Sequence, residues 1–158
     1  MIRKKILLIG DFDVGKTSLI RRYVDNAFED KYLTTIGVKI SKKTVETDDD
    51  VCQLMIWDVE GSTAIKKIPL SYMKGASGAI FVGDVTRLET IENIKEHIEV
   101  FITLNPHAKY VIAYNKSDVL STAQEKTFLM NEKTFFSSAK ENLNVDMMFK
   151  KVVKEMLS

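Results

Sequence analysis

The chain has a single cysteine, Cys52, in 158 residues, so no disulfide can close within it, and the sequence suits a reducing compartment. Two prolines and seven glycines leave no room for a proline-rich or glycine-rich linker, and no repeat or low-complexity segment is present. Neither sign of charge dominates. Twenty-three basic residues face 22 acidic ones, for a net charge of +1 and a pI near 7.8, so no global field points to nucleic acid or an anionic membrane. No apolar run is long enough to span a bilayer. Arg3-Lys4-Lys5 is followed only by Ile6 to Ile9, which is a strand and too short for a signal peptide. Residue 2 is not glycine and Glu155 to Ser158 hold no cysteine, so no acyl or prenyl anchor can be read in these residues. The two histidines, His97 and His107, have no partner at metal-ligand spacing, and both are expected at the surface. What remains is an ordinary globular composition, 45% hydrophobic and 28% charged. It is sized for one domain over 1–158, and a cytoplasmic location is expected.

Strands and helices alternate along the chain. Ile6 to Ile9 is a continuous apolar run ending at Gly10, the pattern of a central strand buried on both faces. Leu19, Ile20, Tyr23 and Ala27 then recur at helical spacing. Residues 38–46 and 51–58 read as strands joined by the polar turn Thr47-Asp48-Asp49-Asp50. Ala79 to Val82 and Tyr110 to Ala113 are further apolar strands, and Thr134 to Ser137 is a last one. Ile91, Ile94, Ile98, Phe101 and Ile102 predict a helix from Thr90 to before Pro106. Val145, Met148, Val152 and Met156 predict a terminal helix. The fold class is therefore α/β. The sheet is expected to be mostly parallel and six-stranded with one antiparallel edge strand, and with helices on both faces. Ligands of such sheets bind at the carboxyl ends of the strands.

The chemistry-bearing residues fall at those ends. Gly10-x-x-x-x-Gly15-Lys16-Thr17 follows one strand and opens one helix, the context of a phosphate-binding P-loop. Its glycines let backbone N–H groups converge on phosphate oxygens at a helix N-terminus. Lys16 is placed to reach the β- and γ-phosphates, and the Thr17 hydroxyl to bind Mg²⁺. At the end of a later strand stands Asp58-Val59-Glu60-Gly61. Its carboxylate suits Mg²⁺ held through water, and the Gly61 N–H suits a γ-phosphate. Asn115-Lys116-Ser117-Asp118 follows another strand. A carboxylate there accepts two N–H groups from one base edge, which guanine offers and adenine does not, while the lysine stem lies over the ring. This disfavours a P-loop ATPase or kinase. Ser137-Ser138-Ala139-Lys140 follows the last strand.

With these motifs in order, the chain resembles the small GTPases of the Ras superfamily, most closely the Rab branch, from Lys5 to about Met156. The likeness includes Gly10 to Ser18, Thr34 to Val38, Ile56-Trp57-Asp58, Ser71 to Ala76, Asp84-Val85-Thr86, Asn115 to Asp118 and Ser138-Ala139-Lys140. It implies a molecular switch of the vesicle-trafficking kind that binds GTP or GDP with Mg²⁺. Thr35 would grip Mg²⁺ and the γ-phosphate alongside Thr17 and Asp58, and Phe28 would lie against the guanine. Asp13, Val14, Gly15, Lys16, Thr17, Ser18 and Gly61 would complete the phosphate side. Asn115, Lys116, Asp118, Ser138, Ala139 and Lys140 would complete the base side. Two switch segments, around residues 30–39 and 59–75, would order with GTP and be read by effectors. For apolar Ile65, Ile68, Leu70, Tyr72 and Met73 there, a docking surface for partners and a place in the core are equal readings. An exchange factor and a GTPase-activating protein are the other implied partners. The chain is expected to be a monomer recruited to membranes by partners.

Four departures mark this sequence. Ser62 stands where the family places a water-orienting glutamine, so a catalytic set of Lys16, Thr35, Gly61 and Ser62 lacks its usual member. Phe12 stands where small residues are usual, with acidic Asp13 beside it. The segment between Asn115-Lys116-Ser117-Asp118 and Ser138-Ala139-Lys140 is short, which predicts an abbreviated helix near Ala123 to Met130. The cysteine-bearing tail that is prenylated in the family is not seen after Met156. Two readings stand open. Either GTP is bound and hydrolysed poorly, or a partner supplies the water-positioning group. A third possibility is an interaction module, GTP-locked or nucleotide-free, that acts as a scaffold.

Overall fold

In the structure, a computed structural model, residues 2–24, 32–33, 38–59 and 70–158 are described. The strands are β1 (Ile2–Gly10), β2 (Tyr32–Leu33), β3 (Val38–Glu46), β4 (Val51–Val59), β5 (Gly78–Asp84), β6 (Lys109–Asn115) and β7 (Thr134–Phe136). The α-helices are α1 (Lys16–Val24), α2 (Leu70–Met73), α3 (Leu88–Glu92), α4 (Ile94–Leu104), α5 (Thr122–Glu125) and α6 (Val145–Leu157). One sheet runs in the order β2-β3-β4-β1-β5-β6-β7. β4, β1, β5, β6 and β7 are parallel, while β3 runs antiparallel to β4. The expected mostly parallel sheet is thus observed. Two-residue β2 adds a short antiparallel partner outside β3, at Lys39 and Ile40.

β1 shows why the sheet is central. Ile6 and Leu8 point into one core with Leu54, Ile56, Ile80 and Val82, which α1 and α6 cover through Leu19, Ile20, Met148, Phe149 and Val152. Leu7 and Ile9 point into the opposite core with Ala79, Phe81 and Phe101. All four β1 residues have no solvent exposure, and each such side chain contributes about 1.5–3 kcal/mol of hydrophobic stabilisation. The Tyr23 and Phe149 rings stack at 3.8 Å and 2°, joining α1 to α6. Burial of that ring pushes the Tyr23 phenol well above its usual value.

Two helices differ from their sequence reading. The helix expected from Thr90 begins at Leu88 and is broken at Asn93 into α3 and α4. The abbreviated helix is shorter than 123–130: α5 has four residues, none buried. Its start is set by a capping box in which the Ser121 hydroxyl accepts from the Gln124 N–H and the Gln124 side chain accepts from the Ser121 N–H. With so little helix there, the Tyr114, Phe128 and Phe136 rings, 5.6–6.0 Å apart, gather beside β6 and β7 instead.

Candidate nucleotide site

The site lies at the carboxyl ends of β1, β4, β5, β6 and β7. Leaving β1, the chain turns through Asp13 at φ +61° and Gly15 at φ +102° before entering α1. A side chain at Gly15 would be strained at this φ, and its Cβ would collide with the Asn115 amide. Inside the loop, Lys16 is only 6% exposed. Its ammonium donates to the carbonyls of Gly10 at 2.9 Å and Asp11 at 3.0 Å, so the cation is strung across the arc that the loop forms. At the first turn of α1, the Thr17 hydroxyl donates to the buried Asp58 carboxylate at the end of β4. A hydroxyl and a carboxylate oxygen brought together suit a hard, oxygen-seeking ion such as Mg²⁺.

Asn115, 1% exposed, joins the phosphate loop to the other motifs. Its Nδ2 donates to the Val14 carbonyl at 3.0 Å, and its Oδ1 accepts from the Ser137 hydroxyl at 3.1 Å. Lys116, at φ +63°, reaches back so that Nζ donates to the Asp13 carbonyl at 3.0 Å and lies 3.0 Å from the Asp84 carboxylate. Ser117 anchors its loop twice on the Ser137 carbonyl, through N–H at 3.0 Å and hydroxyl at 2.8 Å. Asp118 accepts the Ser138 hydroxyl on Oδ1 at 2.8 Å. The predicted phosphate residues Asp13 and Val14 and the predicted base residues Asn115, Lys116, Asp118 and Ser138 are therefore tied together, with Gly15, Lys16, Thr17 and Ser18 next along the same loop and helix α1. Phe28, Thr35, Gly61 and Ser62 lie outside the described residues, as do most of both switch segments. Of the latter, Leu70 is exposed, while Tyr72 meets Trp57 at 5.8 Å. Trp57 packs on the second core, with the Lys5 ammonium 3.9 Å above its ring.

Several contributors had no role assigned from sequence, among them Asp84, although it falls within the Asp84-Val85-Thr86 likeness. Asp84, 1% exposed, accepts the Thr86 N–H at 2.9 Å and hydroxyl at 2.6 Å and the Arg87 Nε at 3.2 Å. Burial alone would raise its carboxyl. The bonds from Thr86, Lys116 and Arg87 outweigh that and hold it down to about 2. A carboxylate closing the wholly buried strand Gly78–Asp84 was the available signal. Arg22, from the last turn of α1, donates to the Ala139 carbonyl at 2.9 Å and the Lys140 carbonyl at 3.0 Å. His97, expected at the surface, is instead partly buried against a carboxylate. Its Nε2 is 2.9 Å from Asp11 Oδ1, with both side chains more than three-quarters buried. A carboxylate only accepts, so the proton is on Nε2. Asn93 donates to Asp11 Oδ2 at 2.6 Å. The Phe12 carbonyl accepts from Arg87 Nη2 at 2.8 Å, while the Phe12 side chain stands out from the loop, the residue being 59% exposed.

Among the described residues no helix is long and apolar enough to cross a membrane. A sequence model of the Ras family matches residues 5–158. Ras-related protein RABA1f of Arabidopsis thaliana is 36% identical over 96% of this chain and 73% of its own length. Ras-related protein Rab11B of Nicotiana tabacum is 35% identical with the same coverage. Ras-related protein Rab-1C of Dictyostelium discoideum is 36% identical over 96% of this chain and 79% of its own. With the phosphate loop, the Thr17–Asp58 pair and the Asn115 bridge in place, the chain belongs to the Ras family of GTP-binding switch proteins, near its Rab branch.

Proposed function

We propose that this chain, as a single G domain over 1–158, binds Mg²⁺·GTP and GDP and signals to effectors through its two switch segments. We further propose that its GTP hydrolysis is weak or depends on a partner. The observation that carries the first part is the Asn115 side chain, which ties the loop that would hold the phosphates to the loops that would hold the base. In this reading Lys16 neutralises the β- and γ-phosphates and the Gly61 N–H faces the γ-phosphate. Thr17, Thr35 and Asp58 would hold Mg²⁺, the last of them through water. The ion would supply charge neutralisation on the phosphate oxygens. Asp118 and Lys116 select and cover the guanine that Phe28 flanks, while Ser138, Ala139 and Lys140 close the base side.

The second part rests on Ser62 and Phe12. Serine is too short to orient a water from the position a glutamine usually fills. The exposed Phe12 ring puts bulk at the loop crest, where a partner's arginine would enter, a group that is worth about 10³–10⁵ in rate. Effectors, an exchange factor and an activating protein are the partners this reading calls for. Its setting is the cytoplasm, with recruitment to membranes by those partners and trafficking as the process.

The test is the nucleotide retained by the purified chain, read by chromatography after denaturation. Bound GDP shows turnover, and bound GTP shows a switch set and slow to reset. Either supports the first part, and GTP supports the second as well. An empty site that also refuses added Mg²⁺·GTP would overturn the reading in favour of a nucleotide-free scaffold.

A further inference from the structure

Three carbonyls in succession along the crest of the phosphate loop are held by cationic side chains. Asp11 O receives Lys16 from within the loop, Phe12 O receives Arg87, and Asp13 O receives Lys116 from the base loop. A further hold is on the Asp11 side chain, and it comes from one short stretch of chain. Asn93, at the break between α3 and α4, donates to one carboxylate oxygen at 2.6 Å, and His97, one turn into α4, donates to the other at 2.9 Å. Two facts give this contact a purpose beyond packing. A carboxylate next to a phosphate cradle repels the phosphates it should help to retain. Here each of its oxygens is engaged by its own donor, Asn93 on one and His97 on the other, which offsets the charge. The same residue also offers its backbone carbonyl to Lys16, so the side chain held at α4 and the carbonyl that Lys16 reaches belong to one residue.

We infer that His97 is a positioning residue for the phosphate loop. With Asn93 it fixes the Asp11 carboxylate against α4, and through the Asp11 carbonyl it sets where Lys16 sits, and so how long the nucleotide is held. This rests on the nucleotide reading above. The contact that His97 makes is with Asp11. It acts through Asp11, and that makes α4 a place from which nucleotide retention can be altered without entering the site.

The experiment is the release of fluorescently labelled GDP from the Mg²⁺-loaded full chain, chased with excess GDP, with thermal melting of every variant recorded beside it. His97→Ala is expected to speed release by about three- to tenfold, the range for losing a charge-assisted bond that is partly solvated. His97→Gln offers an amide N–H close to the position of Nε2 and is expected to restore release to within about twofold of wild type. Combining His97→Ala with Asp11→Ala is expected to add little to Asp11→Ala alone, because both remove one contact. Release by His97→Ala at the wild-type rate would overturn the proposal. So would a His97→Gln chain that releases as fast as His97→Ala, since the donor would then not matter. A wild-type chain that takes up no labelled nucleotide at all would overturn the nucleotide reading itself, and this inference with it. That outcome is told apart by its appearance in the unmutated protein.

Discussion

Lys116 Nζ and Asp84 Oδ2 meet at 3.0 Å beneath the loop that carries Asp13, and the aspartate is 1% exposed. The pair joins the end of β5 to the end of β6, where the sheet gives way to the base loop. Asp84 also receives Thr86 and Arg87, so its charge is shared among several donors and does not rest on one partner.

That sharing sets a pH dependence. The Asp84 carboxyl is held at about 2 in the folded chain against 3.8 ordinarily. Its contribution, about 2 kcal/mol, is fully present above about pH 4 and is lost as pH falls toward 2. Asp84→Asn is expected to lower stability by about 2–3 kcal/mol at pH 7, because Lys116 and Arg87 lose their common acceptor. For a chain of this size the melting temperature falls by about 5–10 °C. Urea unfolding of the two proteins at pH 7 and pH 3 checks both points, and the difference between them should shrink at the lower pH.

Hydrolysis of bound GTP in a single turnover is expected to be slower than about 10⁻⁴ s⁻¹, the lower end for ordinary small GTPases. Ser62→Gln together with Phe12→Gly is expected to bring it into the range of about 10⁻⁴–10⁻³ s⁻¹. A wild-type rate already in that range would show that neither residue limits the reaction.

Base selection is expected to follow Asp118. Asp118→Asn exchanges an acceptor of two N–H groups for an amide that offers one acceptor and one donor. It should weaken GDP binding by about 10²-fold and shift preference to xanthine nucleotides. Competition of GDP and XDP for the fluorescent GDP site measures it, and an unchanged preference would place guanine recognition elsewhere.

Much of this architecture is legible in the sequence because its signals are local. The Ile6 to Ile9 run has to be buried on both faces, and a strand that ends at a glycine before Lys16-Thr17 leaves few alternatives to a phosphate loop. The partnerships that span the chain are not legible. His97 lies 86 residues from Asp11, so on its own helix it looks like a polar residue on a wet face. Arg22 reaches carbonyls 117 and 118 residues away, and carbonyls carry no sequence signal. The break at Asn93 hides for a similar reason, because the apolar stripe of Ile91, Ile94 and Ile98 continues across it. In α6 the buried face also takes in Phe149 and Val153, since a helix packed into a central core buries a broader arc than one stripe. Two-residue β2 is too short to show any alternation at all.

The position of Arg22 gives α1 a metric role. The helix has nine residues, about 13 Å at 1.5 Å per residue. It begins at Lys16 and Thr17 and, in its last turn, grips the carbonyls of Ala139 and Lys140. A rigid rod thus sets the separation between the two ends of the site, as the fixed jaws of a caliper do. In the proposed nucleotide reading, a free base or inorganic phosphate would reach only one jaw, while a nucleotide would reach both.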